Sequence, residues 1–401
     1  MAGFDRAAAR NLRERFDAEF GLGEWREPFF VQAPGRSEIA GNHTDHQGGT
    51  VIAAAVDRYV QGVVAANEGK LITINSEGHP SSQIRCDELE PREDERNTTA
   101  ALVRGMAAQF AKRGFVPQGF DATLTSSVAA GSGLSSSAAF ELELGQAMNV
   151  LWAKGLLSPE ELAVMGQAAE REWFGKPCGL MDQASSALGG IQHMSFAVPG
   201  KIDADPIDFD FADAGYALCL CSVGSSHEDL TDEYAAVPAE MTAIAHALGV
   251  ERLGQTLEVT FAEELPQLRA AYGDRAILRA IHFFREERLV ERRAKALLEG
   301  SMYDFLGLTR LSGASSAMYL QNVSVAGAAE QLAMLGLAVA DEMLGTRGAV
   351  RIHGGGFGGT VQAFVPLEQA ESFCIGMDFV FGEGSCQVYH VDHDGARAWR
   401  L

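Results

Sequence analysis

Positive charge is scarce in this sequence. Its 401 residues include 32 Lys and Arg against 54 Asp and Glu, which gives a formal net charge of −22. This acidic excess argues against nucleic acid and anionic membrane surfaces as main partners, because both would repel a negatively charged protein. It also means that a phosphate site has to be built locally, from backbone N–H groups and a few cations.

Cysteines and long apolar runs are limited as well. The six cysteines form no Cys-x-x-Cys pair and no dense framework, which predicts reduced thiols in a cytoplasmic protein. No charge-free apolar run approaches the roughly 18 residues that a membrane span needs. The first 20 residues lack the apolar centre of a signal peptide. We therefore expect a cytoplasmic location and no membrane partner.

Several common nucleotide and metal motifs are absent. Gly-Lys occurs at Gly69-Lys70, Gly175-Lys176 and Gly200-Lys201, and it is never followed by Ser or Thr. The sequence therefore has no Walker A loop. The protein-kinase motif set and the zincin helix are missing too.

The most informative stretch runs from Ser126 to Ala139 and reads SSVAAGSGLSSSAA. Alternating apolar residues before it predict a strand, and apolar residues at helical spacing after it predict a helix. Small residues let backbone N–H groups approach a ligand closely, and the unpaired N–H groups at a helix start attract anions. The stretch therefore favours phosphate binding over a flexible linker.

The rest of the chain predicts a mixture of helices and strands. Apolar residues at every fourth position predict an N-terminal helix that ends at Gly21. Residues 29–36 predict a short strand that stops at a Pro-Gly turn, and residues 326–344 predict a helix. The acidic, Asp-rich segment over residues 201–215 is interpreted as a domain boundary.

The segment from Gly41 to Thr50 reads GNHTDHQGGT and is dense in hydrogen-bonding side chains. His43, Asp45 and His46 could be interpreted as metal ligands. They share one short loop, however, and no fourth ligand stands at a familiar zinc spacing. The segment therefore favours recognition of a sugar or another polyol over a metal site.

Asp182 follows a turn rich in Gly and Pro, over residues 175–181. Its small, apolar neighbours could control the pKa and the orientation of its carboxylate for catalysis. A helix N-cap is an equally supported alternative at this point.

A second glycine run lies between two predicted strands. The segment Gly354–Gly359 contains five glycines in six residues, which is more than a turn requires. It predicts close approach of the backbone to a ligand or to the first glycine loop.

Three motifs in this order resemble the GHMP small-molecule kinases, and among them the galactokinase family. They are Pro34-Gly35-Arg36 with residues 41–49, residues 131–139, and residues 354–359. The second motif is shared by GHMP kinases in general, whereas the His-Thr-Asp element of the first points to the galactokinase type. The resemblance implies an α+β fold in which residues 1–205 resemble the ribosomal-protein-S5 type and residues 206–401 are ferredoxin-like. The active site would lie between these two domains.

The resemblance also implies an activity, which is ATP- and Mg²⁺-dependent phosphorylation of galactose at the C1 hydroxyl. Asp182 matches the carboxylate beside that hydroxyl, and Arg36 matches the cation that orients Asp182 and stabilises the transferring phosphoryl group. Ser137 and Glu170 match the Mg²⁺ ligands. The positions that match nucleotide contacts are Ser76, Gly131, Ser132, Gly133, Leu134, Ser135, Ser136 and Ser137. The positions that match sugar contacts are Asn42, His43, Thr44, Asp45, Gly179 and Tyr234.

Asn42 departs from the family, which usually has Glu at this position, where the side chain meets the C6 hydroxyl. Asn keeps the hydrogen bonding and removes the charge, so a C6 carboxylate would no longer be repelled. Galacturonate kinase is therefore the alternative activity. A non-catalytic sugar- and ATP-binding sensor is less favoured, because Arg36, Ser137, Glu170 and Asp182 are all present. We expect a monomer that binds a small sugar and ATP and no nucleic acid.

Overall fold

The computed structural model describes residues 4–21, 26–129, 133–224, 231–325, 327–357 and 359–401. The helices are α1 (Arg6–Phe20), α2 (Thr99–Lys112), α3 (Ser136–Trp152), α4 (Pro159–Ala169), α5 (Met181–Leu188), α6 (Thr231–Ala247), α7 (Glu258–Leu298), α8 (Met302–Ser315), α9 (Leu332–Leu344) and α10 (Ala370–Phe381). The strands are β1 (Phe29–Ala40), β2 (Thr50–Ala66), β3 (Leu71–Ser76), β4 (Ser82–Arg85), β5 (Phe120–Ser126), β6 (Ile191–Ser195), β7 (Asp203–Ile207), β8 (Tyr216–Ser222), β9 (Ala349–Ile352), β10 (Thr360–Pro366), β11 (Cys386–Tyr389) and β12 (Arg397–Arg400).

The strands form two sheets. The first is eight-stranded, in the order β12-β1-β2-β5-β3-β4, with β6 paired to β2 and β7 paired to β6. Its strands are antiparallel apart from β3, which runs parallel to β5. The second sheet is four-stranded and antiparallel, in the order β11-β8-β10-β9. This is the α+β architecture that the sequence predicts.

The N-terminal helix is confirmed, and it covers one face of the first sheet. The Asp5 carboxylate caps α1 by accepting hydrogen bonds from the backbone N–H groups of Ala7 and Ala8, each at 3.0 Å. Phe16 is fully buried on the inner side of the helix and belongs to the same apolar cluster as Phe30 of β1. Burial of this apolar stripe holds the helix on the sheet.

The predicted end of the first strand at the Pro-Gly turn is wrong. Strand β1 continues through Pro34 and Gly35 to Ala40, and its pairing with β2 shifts between these two residues. Pairing across the sheet therefore overrides the local turn preference of Pro-Gly. The register shift lies directly before Arg36. Irregularities of this kind commonly change the direction of a side chain beside a functional site.

The predicted helix over residues 326–344 begins later than expected. Residue 326 lies outside the described part, Gly327 has φ 80°, and α9 begins at Leu332. The left-handed conformation of Gly327 is incompatible with a continuous right-handed helix through this position. The predicted end of this helix, with Gly345 directly after it, is confirmed.

The division of the chain at residue 205 stays a prediction. Strand β7 includes that residue and pairs with β6 in the first sheet. The C-terminal strand β12 also returns to the first sheet, where it pairs with β1.

Buried polar contacts tie the end of β1 to the second half of the chain. Arg351 of β9 donates from Nη2 to Oε1 of Glu38 at 2.6 Å, and both side chains are buried. His282 of α7 donates from Nε2 to the backbone oxygen of Asn42 at 2.9 Å. These contacts fix the polar loop after β1 against elements that lie more than 200 residues away in sequence.

Among the described helices, none combines the length and the apolar character that crossing a membrane requires.

Candidate active site

Arg36 and Asp182 form an ion pair at the centre of the candidate site. The Nε of Arg36 donates to Oδ1 of Asp182 at 2.7 Å, and Nη1 of Arg36 donates to the backbone oxygen of Gly133. Ser135 donates from Oγ to Oδ2 of Asp182 at 2.6 Å. Strand β1, helix α5 and the loop before α3 therefore meet at one carboxylate.

The pKa of Asp182 lies below its usual range. Burial alone would raise it, but the positive charge of Arg36 and the hydrogen bonds from Arg36 and Ser135 outweigh that effect. The carboxylate is therefore ionised at neutral pH. The N-cap alternative for Asp182 is wrong, because Leu180 caps α5 and Asp182 is the second residue of the helix.

The described part of the serine loop packs directly against β1. The backbone N–H of Arg36 donates to the oxygen of Leu134 at 3.0 Å, and a Cβ at Gly35 would stand 3.1 Å from that oxygen. Helix α3 begins at Ser136, so its unpaired N–H groups lie beside Arg36 and Asp182. Two predicted nucleotide contacts, Gly131 and Ser132, lie outside the described residues.

Ser76, the remaining predicted nucleotide contact, is the last residue of β3. It pairs in parallel with Leu124, two residues before the end of β5. Because β5 leads into the serine loop, the register places Ser76 at the same end of the sheet as that loop.

Ser137 and Glu170 lie together, as the predicted metal ligands must. Ser137 donates from Oγ to Oε1 of Glu170 at 2.8 Å, and Lys176 donates from Nζ to the same oxygen at 2.9 Å. Gln183 donates from Nε2 to Oε2 of Glu170 and to Oε2 of Glu141, each at 2.9 Å.

This donor set fits Mg²⁺. A hydroxyl and a carboxylate are hard oxygen ligands, and Mg²⁺ in nucleotide sites takes only one or two carboxylates because the phosphates and waters complete its shell. The buried Oε1 of Glu141 has no hydrogen-bond partner, so the site retains acceptor capacity. Within the described ranges, no group of three or more His, Cys, Asp or Glu is placed to hold a metal.

Asp45 and Gly179 are in close contact. A Cβ at position 179 would overlap Oδ2 of Asp45, so the carboxylate occupies the space that a larger residue would fill. Burial, together with a smaller contribution from the negative charge of Asp182, raises the pKa of Asp45 to about 7. The two carboxylates therefore lie close enough to interact electrostatically.

His43 and Tyr234 both contact the second glycine loop. His43 donates from Nε2 to the backbone oxygen of Gly355 at 2.9 Å, and its Nδ1 accepts from Nε2 of His46 at 3.2 Å. The hydroxyl of Tyr234 donates to the backbone oxygen of Gly356. The described part of this loop therefore contacts His43 and Tyr234, whereas Gly133 of the first glycine loop packs against His353 and Thr360, which flank the second loop. Approach of the second loop to a ligand stays a prediction.

Asn42 and Thr44 have their polar atoms inside the protein. Both residues are fully buried. The Nδ2 of Asn42 donates to Oε1 of Glu38 at 3.1 Å and to the oxygen of Gly354, while its Oδ1 accepts from Nδ2 of Asn322 at 2.8 Å. The hydroxyl of Thr44 donates to backbone oxygens of its own loop. The prediction that Asn42 meets the C6 substituent of a sugar does not fit these contacts.

Several residues of the site escaped the sequence interpretation. Lys176, Gln183 and Glu141 surround Glu170, and Ser135 contacts Asp182 rather than serving only as part of a backbone loop. The signal for Lys176 was available, because it lies in the same Gly- and Pro-rich turn that precedes Asp182. Glu141 carried a signal as well, because it lies four residues after Ser137 and therefore on the same face of α3.

Comparison with known proteins identifies two matching families. Residues 101–190 match the family described as GHMP kinases N terminal domain, and residues 14–66 match the galactokinase galactose-binding signature. Galactokinase from Actinobacillus pleuropneumoniae is 30% identical over 342 residues, which cover 85% of this chain and 86% of that protein. Galactokinase from Streptomyces coelicolor is 31% identical over 368 residues, which cover 91% of this chain and 90% of that protein.

Solved structures share the fold. The crystal structure of Lactococcus lactis galactokinase complexed with galactose superposes with a TM-score of 0.82 at 24% identity, covering 98% of this chain and 100% of that one. A crystal structure of mevalonate kinase superposes with a TM-score of 0.64 at 14% identity, covering 91% and 99% of the two chains.

Proposed function

The chain belongs to the galactokinase family of GHMP kinases, and we propose that it transfers the γ-phosphoryl group of ATP to the C1 hydroxyl of galactose. The observation that carries this proposal is the meeting of Arg36, Asp182 and Ser135 at the start of α3. A charged pair beside a helix N-terminus combines a group that orients a hydroxyl with donors that hold phosphate.

In the proposed reaction, the C1 oxygen of the sugar attacks the γ-phosphorus, the bond between the γ-phosphorus and the bridging oxygen breaks, and ADP leaves. The proton of the C1 hydroxyl passes to the Asp182 carboxylate late in the transfer. We propose that Asp182 accepts a hydrogen bond from the C1 hydroxyl and aligns it for attack. Its lowered pKa makes it a weak base, which favours orientation and electrostatic activation over early proton removal. Phosphoryl transfer has a loose transition state that needs little help from a strong base.

We propose that Arg36 has two roles. It holds the Asp182 carboxylate through Nε, and its guanidinium supplies positive charge beside the serine loop, where charge develops on the transferring group. An arginine is suited to both roles because its planar guanidinium group offers several N–H hydrogen-bond donors in fixed directions. Because the protein has a net charge of −22, a local cation such as Arg36 is needed to attract the negatively charged phosphates of the substrate.

The nucleotide contacts in this proposal are the backbone of residues 131–137 and Ser76. Ser137 and Glu170 would hold Mg²⁺, which supplies charge neutralisation at the phosphates when bound. Lys176 holds Glu170 in place from the solvent side and adds a second positive charge near the phosphates.

The sugar contacts in this proposal are His43, Asp45, Gly179 and Tyr234. Asp45 is close enough to Asp182 for their charges to interact, and the missing side chain of Gly179 leaves the space that the Asp45 carboxylate occupies. We assign Asn42 and Thr44 a positioning role, because their buried hydrogen bonds fix the backbone of the loop that carries His43 and Asp45. A polar pocket of this kind rejects a sugar that lacks one of the hydroxyls, because the polar side chain that would bind that hydroxyl is then left without a hydrogen-bond partner.

We also propose that the protein acts as a monomer in the cytoplasm, with division into domains near residue 205. The proposal of a monomer is supported by the site residues, all of which come from one chain. The proposal of a cytoplasmic location is supported by the lack of a Cys-x-x-Cys pair or a dense cysteine framework in the sequence.

A steady-state assay of ATP consumption against a panel of sugars tests the proposed function. The panel contains galactose, galacturonate, glucose, N-acetylgalactosamine, arabinose and mevalonate. We expect galactose to give the highest kcat/KM. Binding of a sugar without ATP consumption would instead identify a sensor, and a preference for galacturonate would reject the substrate assignment.

A further inference from the structure

Four of the six cysteines meet in one cluster of the second sheet, and none of them is among the proposed site residues. Cys219 and Cys221 lie on β8, Cys386 is the first residue of β11, and Cys374 lies on α10. Cys219, Cys221 and Cys386 are buried, and Cys374 is partly exposed. All four belong to the apolar cluster between the second sheet and its helices.

Within this cluster, Cys221 and Cys386 are directly opposite each other on adjacent antiparallel strands. Directly opposite residues in such strands have Cα atoms about 4.5–5.5 Å apart, which lies within the range that a disulfide requires. Their sulfur atoms are in contact, with the Sγ of Cys221 donating to the Sγ of Cys386 at 2.6 Å. No backbone movement is therefore needed to join them.

From this geometry we propose that Cys221 and Cys386 are a redox pair that hydrogen peroxide converts into a cross-strand disulfide. The Cys386 thiolate attacks one peroxide oxygen, the O–O bond breaks, and water leaves, which gives a sulfenic acid on Cys386. The Cys221 sulfur then attacks the Cys386 sulfur, and the oxygen departs as a second water. The two thiols lose two hydrogens in total, and the peroxide is reduced to two waters.

The surroundings of Cys386 support its role as the first thiol to react. Hydrogen bonds from Cys219, Cys221 and Cys374 lower its pKa, against the opposing effect of burial. Strand β11 is at the edge of the second sheet, which leaves one side of Cys386 without a neighbouring strand. Cys386 is 5% exposed, whereas Cys219 and Cys221 are fully buried, so Cys386 is the more accessible thiol of the pair.

A metal centre is the other chemistry that four cysteines suggest. In the residues that the structure describes, however, no three of these sulfurs are arranged around a common point at which a metal could bind. The direct contact between the sulfurs of Cys221 and Cys386, without such a metal-binding point, favours disulfide chemistry.

The disulfide would lie beside the end of the second glycine loop in the fold, although not along the chain. Two residues after Cys221, the backbone N–H of Val223 donates to the oxygen of Gly359 at 2.7 Å, and the N–H of Ser222 donates to the oxygen of Ser385 at 2.8 Å. The link would therefore fix the end of β8 beside this loop, and we expect the oxidised protein to have a higher Tm than the reduced protein.

Disulfide mapping on the full-length wild-type protein tests the proposal. The protein is treated with hydrogen peroxide, blocked with N-ethylmaleimide under denaturing conditions, digested without reduction and examined by mass spectrometry. We expect the number of free thiols to fall by two and a peptide pair joining Cys221 to Cys386 to appear, both reversed by dithiothreitol. The variant Cys86→Ser, which removes a buried cysteine outside the cluster, should give the same result.

Three outcomes would overturn the proposal: six unmodified thiols, a cross-link between other cysteines, or sulfinic acid on Cys386 without a cross-link. The variant Cys221→Ser adds a second measurement. Without its partner, Cys386 should remain as a sulfenic acid that dimedone traps, whereas a normal disulfide yield in this variant would contradict the assigned pair. If Cys221→Ser does not fold, the mapping of the wild-type protein still decides the question.

Discussion

Gly179 is packed so tightly against Asp45 that any side chain at position 179 would displace the carboxylate. Its φ lies outside the left-handed region, so the need for glycine is steric and not conformational. This contact joins the turn before α5 to the polar loop after β1. It therefore links the carboxylate that we assign to sugar binding with the helix that carries Asp182.

The substitution Gly179→Ala tests this contact. We expect KM for galactose to rise at least tenfold, because Asp45 must move, and stability to fall by about 1–3 kcal/mol through overpacking. Steady-state kinetics and urea unfolding measure the two effects. The matched control is Gly307→Ala, since position 307 lies in α8 with open space around it. Unchanged KM in Gly179→Ala would show that Asp45 does not position the sugar.

The raised pKa of Asp45 predicts a dependence of stability on pH. Because the folded-state pKa is about 7 and the ordinary value is 3.8, the folded protein holds a proton that the unfolded chain releases between these values. The contribution of Asp45 to stability therefore falls as the pH rises from about 4 to about 7. The variant Asp45→Asn should gain stability relative to the wild type between pH 5 and pH 7.5.

Urea unfolding at both pH values measures this difference for Asp45→Asn. Asp203→Asn, on the exposed strand β7, serves as a control for the loss of one carboxylate. We expect the stability of this control relative to the wild type to change little between the two pH values. An equal effect of pH on the stability of both variants would show that Asp45 is not the cause of the pH dependence.

Glu170→Gln tests the proposed metal ligand. Loss of the negative charge should raise the Mg²⁺ concentration for half-maximal activity by at least tenfold, because an amide oxygen binds the cation less strongly. A Mg²⁺ titration of the kinase rate measures the change. Glu172→Gln is the matched control, since Glu172 lies two residues away and pairs with Lys112 on the surface. An unchanged titration for Glu170→Gln would mean that the metal is held elsewhere.

Asn42→Glu distinguishes a positioning role from contact with the sugar. In the structure, the new carboxylate would face Glu38 and the oxygen of Gly354 in a fully buried site. We expect a stability loss of about 3–5 kcal/mol and similar losses of kcat/KM for galactose and galacturonate. A selective loss of galacturonate turnover, with stability retained, would instead place residue 42 at the C6 substituent.

The local elements of this fold were accessible from the sequence. The side chains of Ser158 and Glu161 form a capping box at the start of α4, and Thr98 caps α2, so the signals for both helix starts lie in the local sequence. Helix α3 begins within the serine run as predicted. Such features depend on residues only a few positions apart, so the sequence pattern contains the information that determines them.

Long-range pairing explains what the sequence pattern missed. Pro34 and Gly35 favour a turn locally, yet β1 continues because β2 pairs with it on both sides of the register shift. The partners of Asn42 include Asn322, which is 280 positions away, and no local pattern indicates such a contact. The site was predictable at the level of motifs, whereas the direction in which Asn42 points depended on tertiary structure.

The most direct test of the central claim is product analysis by ³¹P NMR, with the wild type compared with Asp182→Asn. With ATP, Mg²⁺ and galactose, the wild type should give one new phosphate resonance coupled to the anomeric proton, which identifies galactose 1-phosphate. Asp182→Asn should form this product at least about 100-fold more slowly than the wild type, while galactose binding measured by calorimetry persists. Phosphate on another hydroxyl, or near wild-type turnover by Asp182→Asn, would contradict the account.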